Sequence, residues 1–132
     1  MYRLPHGRFM PEASRSDELD AMRQSAYSPG DSSSLRELRA EGRKTARERI
    51  LLLLDPKSFV EVDAFVQHRA GDHNMHLHRP LGDGVVAGHG MIDGRRVVCF
   101  AQDYSDFSGS MGEMHAKNVA KSAEFAEKSQ LP

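Results

Sequence analysis

Gly84-Val-Val-Ala-Gly-His-Gly-Met-Ile92, then Asp93-Gly94, then Arg95-Arg-Val-Val-Cys-Phe-Ala101 is the stretch on which the fold turns. Two apolar-rich runs flank Asp-Gly, the dipeptide that best accepts the positive φ angles of a type I′ turn, so the segment predicts a β-hairpin. The near-continuous apolar run Val97 to Ala101 predicts a second strand covered on both faces. Downstream, Asp103 to Gly112 is a loop of small and polar residues. It leads into Glu113 to Lys128, a helix-favouring segment with Ala116, Val119, Ala120, Ala123 and Ala126 on one broad side, small enough to pack closely on a sheet. Upstream, Phe59-Val-Glu-Val-Asp63 alternates apolar with acidic residues, as a short half-buried strand or an extended lead-in would. His68 to Gly82 has no apolar period and reads as an exposed loop.

Further towards the N-terminus, Ser34-Leu-Arg-Glu37 and Thr45-Ala-Arg-Glu48 both have capping-box spacing, predicting two short helices. Ile50-Leu-Leu-Leu-Leu54 follows the second box, and Asp55-Pro56 closes it because a residue before proline avoids the helical region. Met1 to Ser34 is rich in Arg, Ser and Pro without a sustained period and reads as a flexible tail, leaving 35–132 as the structured unit. Within the tail Asp17 to Ser25 has a short helical possibility, stopped by the turn chemistry of Tyr27-Ser-Pro-Gly-Asp31; order there would need a partner.

The bulk numbers exclude several classes. A chain of 132 residues has room for one modest core. Its 18 basic and 19 acidic residues create no net field that would draw the whole chain to nucleic acid or an anionic membrane. The single cysteine, Cys99, sits in an apolar run and cannot form an internal disulfide, which fits a reducing compartment. No run approaches the length of a membrane span, and no signal-peptide stretch opens the chain. Glu12, Asp17, Glu18 and Asp20 argue against a mitochondrial presequence, so a cytoplasmic location is expected.

Three constellations carry candidate chemistry. Ser108-Gly-Ser-Met-Gly112, ahead of the last helix, could hold a phosphate or polar carbonyl at the free N–H groups of the helix start, or could only shape a turn. His68, Asp72, His73, His76 and His78 admit a metal reading, since His76 and His78 would share one face of an extended segment. Solvated loop histidines are the favoured alternative, because no cysteine partners or regular ligand spacing accompany them. Arg36 to Arg49 has six basic residues against three acidic ones and could meet a phosphate, although interleaved Glu37, Glu41 and Glu48 suit an ordinary solvated helix face. No nucleophile elbow and no histidine-paired nucleophile is present.

Taken together, Gly42-Arg-Lys-Thr-Ala-Arg-Glu-Arg-Ile50, Leu53-Leu-Asp-Pro-Lys-Ser-Phe-Val-Glu61, Gly82-Asp-Gly-Val-Val86, Ile92-Asp-Gly94, Ala101-Gln-Asp103 and Gly109-Ser-Met-Gly-Glu-Met-His-Ala-Lys117 resemble, in order and spacing, the start of the carboxyltransferase subunit of biotin-dependent acyl-CoA carboxylases of the propionyl-CoA carboxylase beta type. The resemblance covers roughly 39–132. It implies an α/β (α+β) architecture: N-terminal helices followed by the first ββα portion of a crotonase-like fold, incomplete. The four-cysteine zinc ribbon that precedes this domain in some relatives cannot form with one cysteine.

The implied chemistry is transfer of a carboxyl group from carboxybiotin to an acyl-CoA, with paired backbone N–H groups stabilising the enolate oxygen. The family's first donor lies in a Ser-Gly-Gly-Ala-Arg type motif, which this sequence lacks, so no catalytic residue is assigned and the chain is expected to be inactive alone. Biotin would come on a partner carrier domain, with no cofactor bound directly. Implied partners are acyl-CoA, a biotin carboxylase, a biotin carboxyl carrier subunit and further copies in a homo-oligomer. The residues expected to border CoA are Ser108, Gly109, Ser110, Met111, Gly112 and Lys117. The alternative is a non-catalytic interaction module that binds a full-length carboxylase subunit. One departure from the family is Ser105-Asp-Phe-Ser-Gly109, where relatives commonly carry Thr or Val followed by Phe-Gly-Gly; Asp106 and Ser108 would alter the pocket edge.

Overall fold

The computed structural model describes residues 14–27, 33–105 and 110–132. The elements run α1 (Arg15–Tyr27), α2 (Ser33–Ala40), α3 (Ala46–Leu53), β1 (Val60–Val62), a 3-10 segment (Asp72–Leu77), β2 (Val85–Ile92), β3 (Arg95–Gln102) and α4 (Glu113–Ser129). The three strands form one antiparallel sheet in the order β1-β2-β3, with α3 against one face and α4 against the other.

The hairpin forms as its turn chemistry requires. Asp93 and Gly94 take φ of 50° and 76°, and β2 pairs with β3 from Val85↔Gln102 to Ile92↔Arg95. The turn is also held from outside, because both oxygens of the Asp55 carboxylate accept from the N–H groups of Asp93 and Gly94, each at 2.9 Å. The residue that closes α3 therefore fixes the hairpin tip.

Capping chemistry is realised at Thr45. Its hydroxyl accepts from the Glu48 N–H at 3.3 Å, and the Glu48 carboxylate accepts from the Thr45 N–H at 2.9 Å. Helix α2 begins at Ser33, so Ser34 lies inside the helix and the cap position falls outside the described residues. From α3 only Ala46, Ile50 and the following Leu54 enter the core, at i, i+4 and i+8. That spacing leaves Leu51, Leu52 and Leu53 exposed. Val86 from β2 completes the core, with Phe59, Ile92, Val97, Cys99 and Ala101 packed around it. Partial burial there pushes the Cys99 thiol up from its ordinary pKa.

Two glycines let β2 approach this layer. A Cβ at Gly88 would lie 2.2 Å from the Val60 carbonyl oxygen and 2.7 Å from the Phe59 ring, and one at Gly90 would lie 2.6 Å from a Leu54 methyl. The segment Asp17 to Ser25 is helical within the longer α1, which buries none of its residues. Arg47 supports the end of α1 by stacking 4.5 Å from the Tyr27 ring centre while pairing with the Glu61 carboxylate through two bonds of 2.7 Å.

One expectation gains a qualification and another changes. Strand β3 has α3 on one face and α4 on the other, as its apolar run predicts, but among the described residues it is also the outer strand of the sheet, and Phe100 is half-exposed. Helix α4 turns a different stripe to the sheet. His115, Asn118 and Ser122 are its buried residues, while Ala120 and Ala123 are exposed. The polar stripe is tolerated because His115 and Ser122 find hydrogen bonds inside the layer.

Candidate functional site: the loop before the last helix

The loop after β3 is held at both ends by one turn, which lies just before the neighbouring strand β2. Asp83-Gly84 adopts positive φ, 48° and 74°, just before β2. The Gly84 carbonyl accepts from the Asp103 N–H at 2.8 Å at the start of the loop. The Asp83 carboxylate accepts from the His115 N–H at 2.9 Å in the first turn of α4. Gly112 is the cap residue of α4 and has no side chain to offer, so Asp83 supplies from a distance the acceptor that the helix start needs.

The His115 ring reinforces this joint. It is fully buried, with Nδ1 at 3.1 Å from the Asp83 carbonyl and Nε2 at 3.2 Å from the Gln102 amide nitrogen. A carbonyl can only accept, so the proton sits on Nδ1, and Nε2 accepts from the Gln102 side chain. Asp103 adds a local turn, its Oδ1 accepting from the Ser105 N–H at 3.0 Å and hydroxyl at 2.7 Å.

Of the residues that the sequence assigns to the site, Ser108 and Gly109 lie outside the described residues. Ser110, Met111 and Gly112 are exposed at the mouth of α4. Lys117 lies one turn in and donates to Glu113 at 2.7 Å, and Arg69 pairs with the same carboxylate. These partners, Lys117 first and Arg69 second, hold the Glu113 carboxyl below its ordinary pKa. The helix start thus already carries two carboxylates, Asp83 and Glu113, in the place an anion would favour.

The basic segment is closer to this loop than the sequence suggests. Arg43 stacks 5.0 Å from the Tyr104 ring centre, and Arg49 donates to the Gln102 carbonyl at 2.6 Å. With Lys44 and Phe100 they border an open groove of about 700 Å³. A larger cleft of about 850 Å³ lies beside α1, but its prominent charges are paired with each other, Arg47 with Glu61 and Arg39 with Glu48. The histidine segment is dispersed: His68 is buried with Nε2 at 2.7 Å from the His78 carbonyl, whereas His73, His76 and His78 are exposed. No group of three or more His, Cys, Asp or Glu able to hold a metal occurs among the described residues.

Asp83, Gln102 and His115 are the positioning residues that sequence reading passes over. The only local signals were an Asp-Gly pair before a strand and a histidine three residues past a glycine.

The sequence model of the carboxyl transferase domain matches residues 37–132. The chain belongs to that family. Among its relatives, the biotin-dependent acetyl-/propionyl-coenzyme A carboxylase beta5 subunit of Mycobacterium tuberculosis (strain CDC 1551 / Oshkosh) is 45% identical over 115 residues, covering 87% of this chain and 21% of the relative. The methylmalonyl-CoA decarboxylase subunit alpha of Propionigenium modestum is 46% identical over 93 residues, covering 70% of this chain and 18% of the relative. Among solved structures, transcarboxylase 12S, described as a hexamer with hydrolysed methylmalonyl-coenzyme A bound, superposes with a TM-score of 0.79 at 38% identity, covering 85% of this chain and 22% of that one. The chain therefore spans about a fifth of the length of these relatives. Its α/β architecture of N-terminal helices and a ββα unit is the corresponding portion of the crotonase-like carboxyltransferase fold. No helix among the described residues is long and apolar enough to cross a membrane.

Proposed function

We propose that this chain is the N-terminal portion of a carboxyltransferase that moves a carboxyl group from carboxybiotin to an acyl-CoA, and that it does not catalyse the transfer alone. The observation that carries this is the family match over 37–132 in a chain that lacks a Ser-Gly-Gly-Ala-Arg motif. Biotin would arrive on a separate carrier domain, and the chain's own contribution would be one edge of the CoA site, at 104–112 and the first turn of α4. The fixed loop ends support that reading, because Asp83, Gly84 and His115 hold the loop in register with the sheet before any ligand binds.

Two measurements test it. Purified chain mixed with carboxybiotin and propionyl-CoA should show no acyl-CoA-dependent carboxyl transfer, and turnover overturns the claim of inactivity. Titration with CoA, followed by amide shifts, should move resonances from Ser105 to Lys117. Affinity of these residues alone should be no better than about millimolar, since a few exposed charge-assisted contacts would have to offset the association entropy. Shifts centred on Arg36 to Arg49, or none at millimolar CoA, refute the placement. Because Arg43 stacks on Tyr104, the decisive resonances are those of Ser110 to Lys117 on one side and Lys44 on the other.

A further inference from the structure

The inner face of α4 holds a polar group that its own layer does not serve. Asn118 is 4% exposed, and its buried side-chain Nδ2 finds no acceptor among the described residues. Buried side-chain amides are satisfied in the great majority of cases, so an orphaned one calls for a physical reason. Its neighbours on the helix are already committed. The Ser122 hydroxyl donates back to the Asn118 carbonyl at 2.9 Å, and the Lys121 ammonium sits on both oxygens of Asp63 at 2.7 and 2.9 Å.

This amide borders a pocket of about 300 Å³ between α4 and the sheet. Asn118, Ser122 and Phe125 fall at i, i+4 and i+7, one face of the helix. Opposite them stand Val62, His89 and Val98. They share the sheet face turned to α4, because Val98 pairs with His89, and Val62 pairs with Ala87, two residues before His89. The His89 and Phe125 rings meet with centres 5.9 Å apart and planes tilted by 41°. The same pair lines the next groove, beside Met91 and Leu131, and so forms an aromatic wall between the two. Asp63 and Lys121 neutralise each other at the border of the pocket. The walls are therefore apolar, the border carries no net charge, and one unused donor stands inside. One water takes about 30 Å³, roughly a tenth of the space, so a single water bridging to Asn118 does not fill it.

We infer that this pocket is a binding site for a small, flat, neutral molecule whose carbonyl oxygen accepts from the Asn118 amide while its apolar body lies against Val62, Val98 and Phe125. A carboxylate fits poorly, because Asp63 borders the pocket and already holds the nearby cation. A wholly apolar ligand would leave the amide buried and unpaired. The site runs from Asn118 to Phe125 along α4, whereas the proposed CoA edge ends at Lys117, so the two readings stand or fall separately.

The test uses the full 132-residue chain, isotopically labelled, with benzamide as probe, toluene as the counterpart without an acceptor and benzoate as the charged one. Benzamide should bind with a Kd of about millimolar, moving the backbone amides of Gly88, His89 and Val98 and the side-chain NH2 resonances of Asn118. Toluene and benzoate should each bind roughly tenfold more weakly. Asn118→Leu keeps the size and removes the enclosed amide, so it should melt no lower than the parent. It should lose roughly tenfold in benzamide affinity while binding toluene at least as well as the parent does. Phe125→Ala, at a half-exposed position, should weaken benzamide and toluene alike. The inference is overturned by benzamide shifts that are missing at tens of millimolar or centred outside the pocket, by toluene or benzoate binding as well as benzamide, or by undiminished benzamide binding to Asn118→Leu. Should Asn118→Leu fail to fold, the three probes on the parent decide: equal affinities sink the proposal, and a tenfold preference for benzamide sustains it.

Discussion

Asp83 is where one substitution series can separate two physical effects. Replacing Asp83 with alanine leaves the buried His115 N–H without its acceptor, a cost of about 1–3 kcal/mol. It also removes a negative charge from a helix N-terminus, worth about 0.3–1 kcal/mol. It further forces a Cβ-bearing residue without a local hydrogen bond to hold φ of 48°, at about 1 kcal/mol. Together these predict a loss of about 3 kcal/mol. Asp83→Asn keeps a side-chain acceptor and tolerates the left-handed region, so it should lose only about 1 kcal/mol, mainly the charge. Asp83→Gly frees the backbone but not the N–H, and should fall between at about 2 kcal/mol. Urea unfolding followed by far-ultraviolet circular dichroism gives the three values directly. For a domain of this size the alanine variant should melt roughly 10 °C or more below the parent. Equal losses for alanine and asparagine would refute the capping argument, and a glycine variant less stable than alanine would refute the argument from φ.

Two further outcomes follow from the packing and the charges. Gly88→Ala drives a Cβ into the Val60 carbonyl, backbone that cannot step aside, and should cost about 2–3 kcal/mol, whereas Gly90→Ala meets a Leu54 methyl that can rotate and should cost less; thermal melts rank them. The Glu48 carboxyl is held below its ordinary pKa, first by Arg39 and then by the Thr45 N–H. A depressed folded-state pKa stabilises above the unfolded value of about 4.3 and loses that contribution as pH falls through the folded value. The melting temperature of the parent should therefore exceed that of Glu48→Gln near neutral pH, with the gap closing below about pH 4; a gap that is constant with pH would contradict the assignment.

Local chemistry made much of this chain legible without coordinates. Asp93-Gly94 fixed the hairpin because few dipeptides accept two positive φ angles, and Thr45 with Glu48 fixed the start of α3 because its free N–H groups need those acceptors. The separated motifs between Gly42 and Lys117 carried the family resemblance, since order and spacing survive whatever the fold does with them. Tertiary structure alone decided which stripe of α4 faces the sheet. Helical period offered the alanines, but burying His115 became favourable only because Asp83 and Gln102, 32 and 13 residues away, converge on it. It also decided that β3 is an outer strand, for an apolar run records only how much surface is to be covered. Which neighbour covers it depends on strand order, and strand order is set by contacts between residues distant in sequence, where local propensity carries no information.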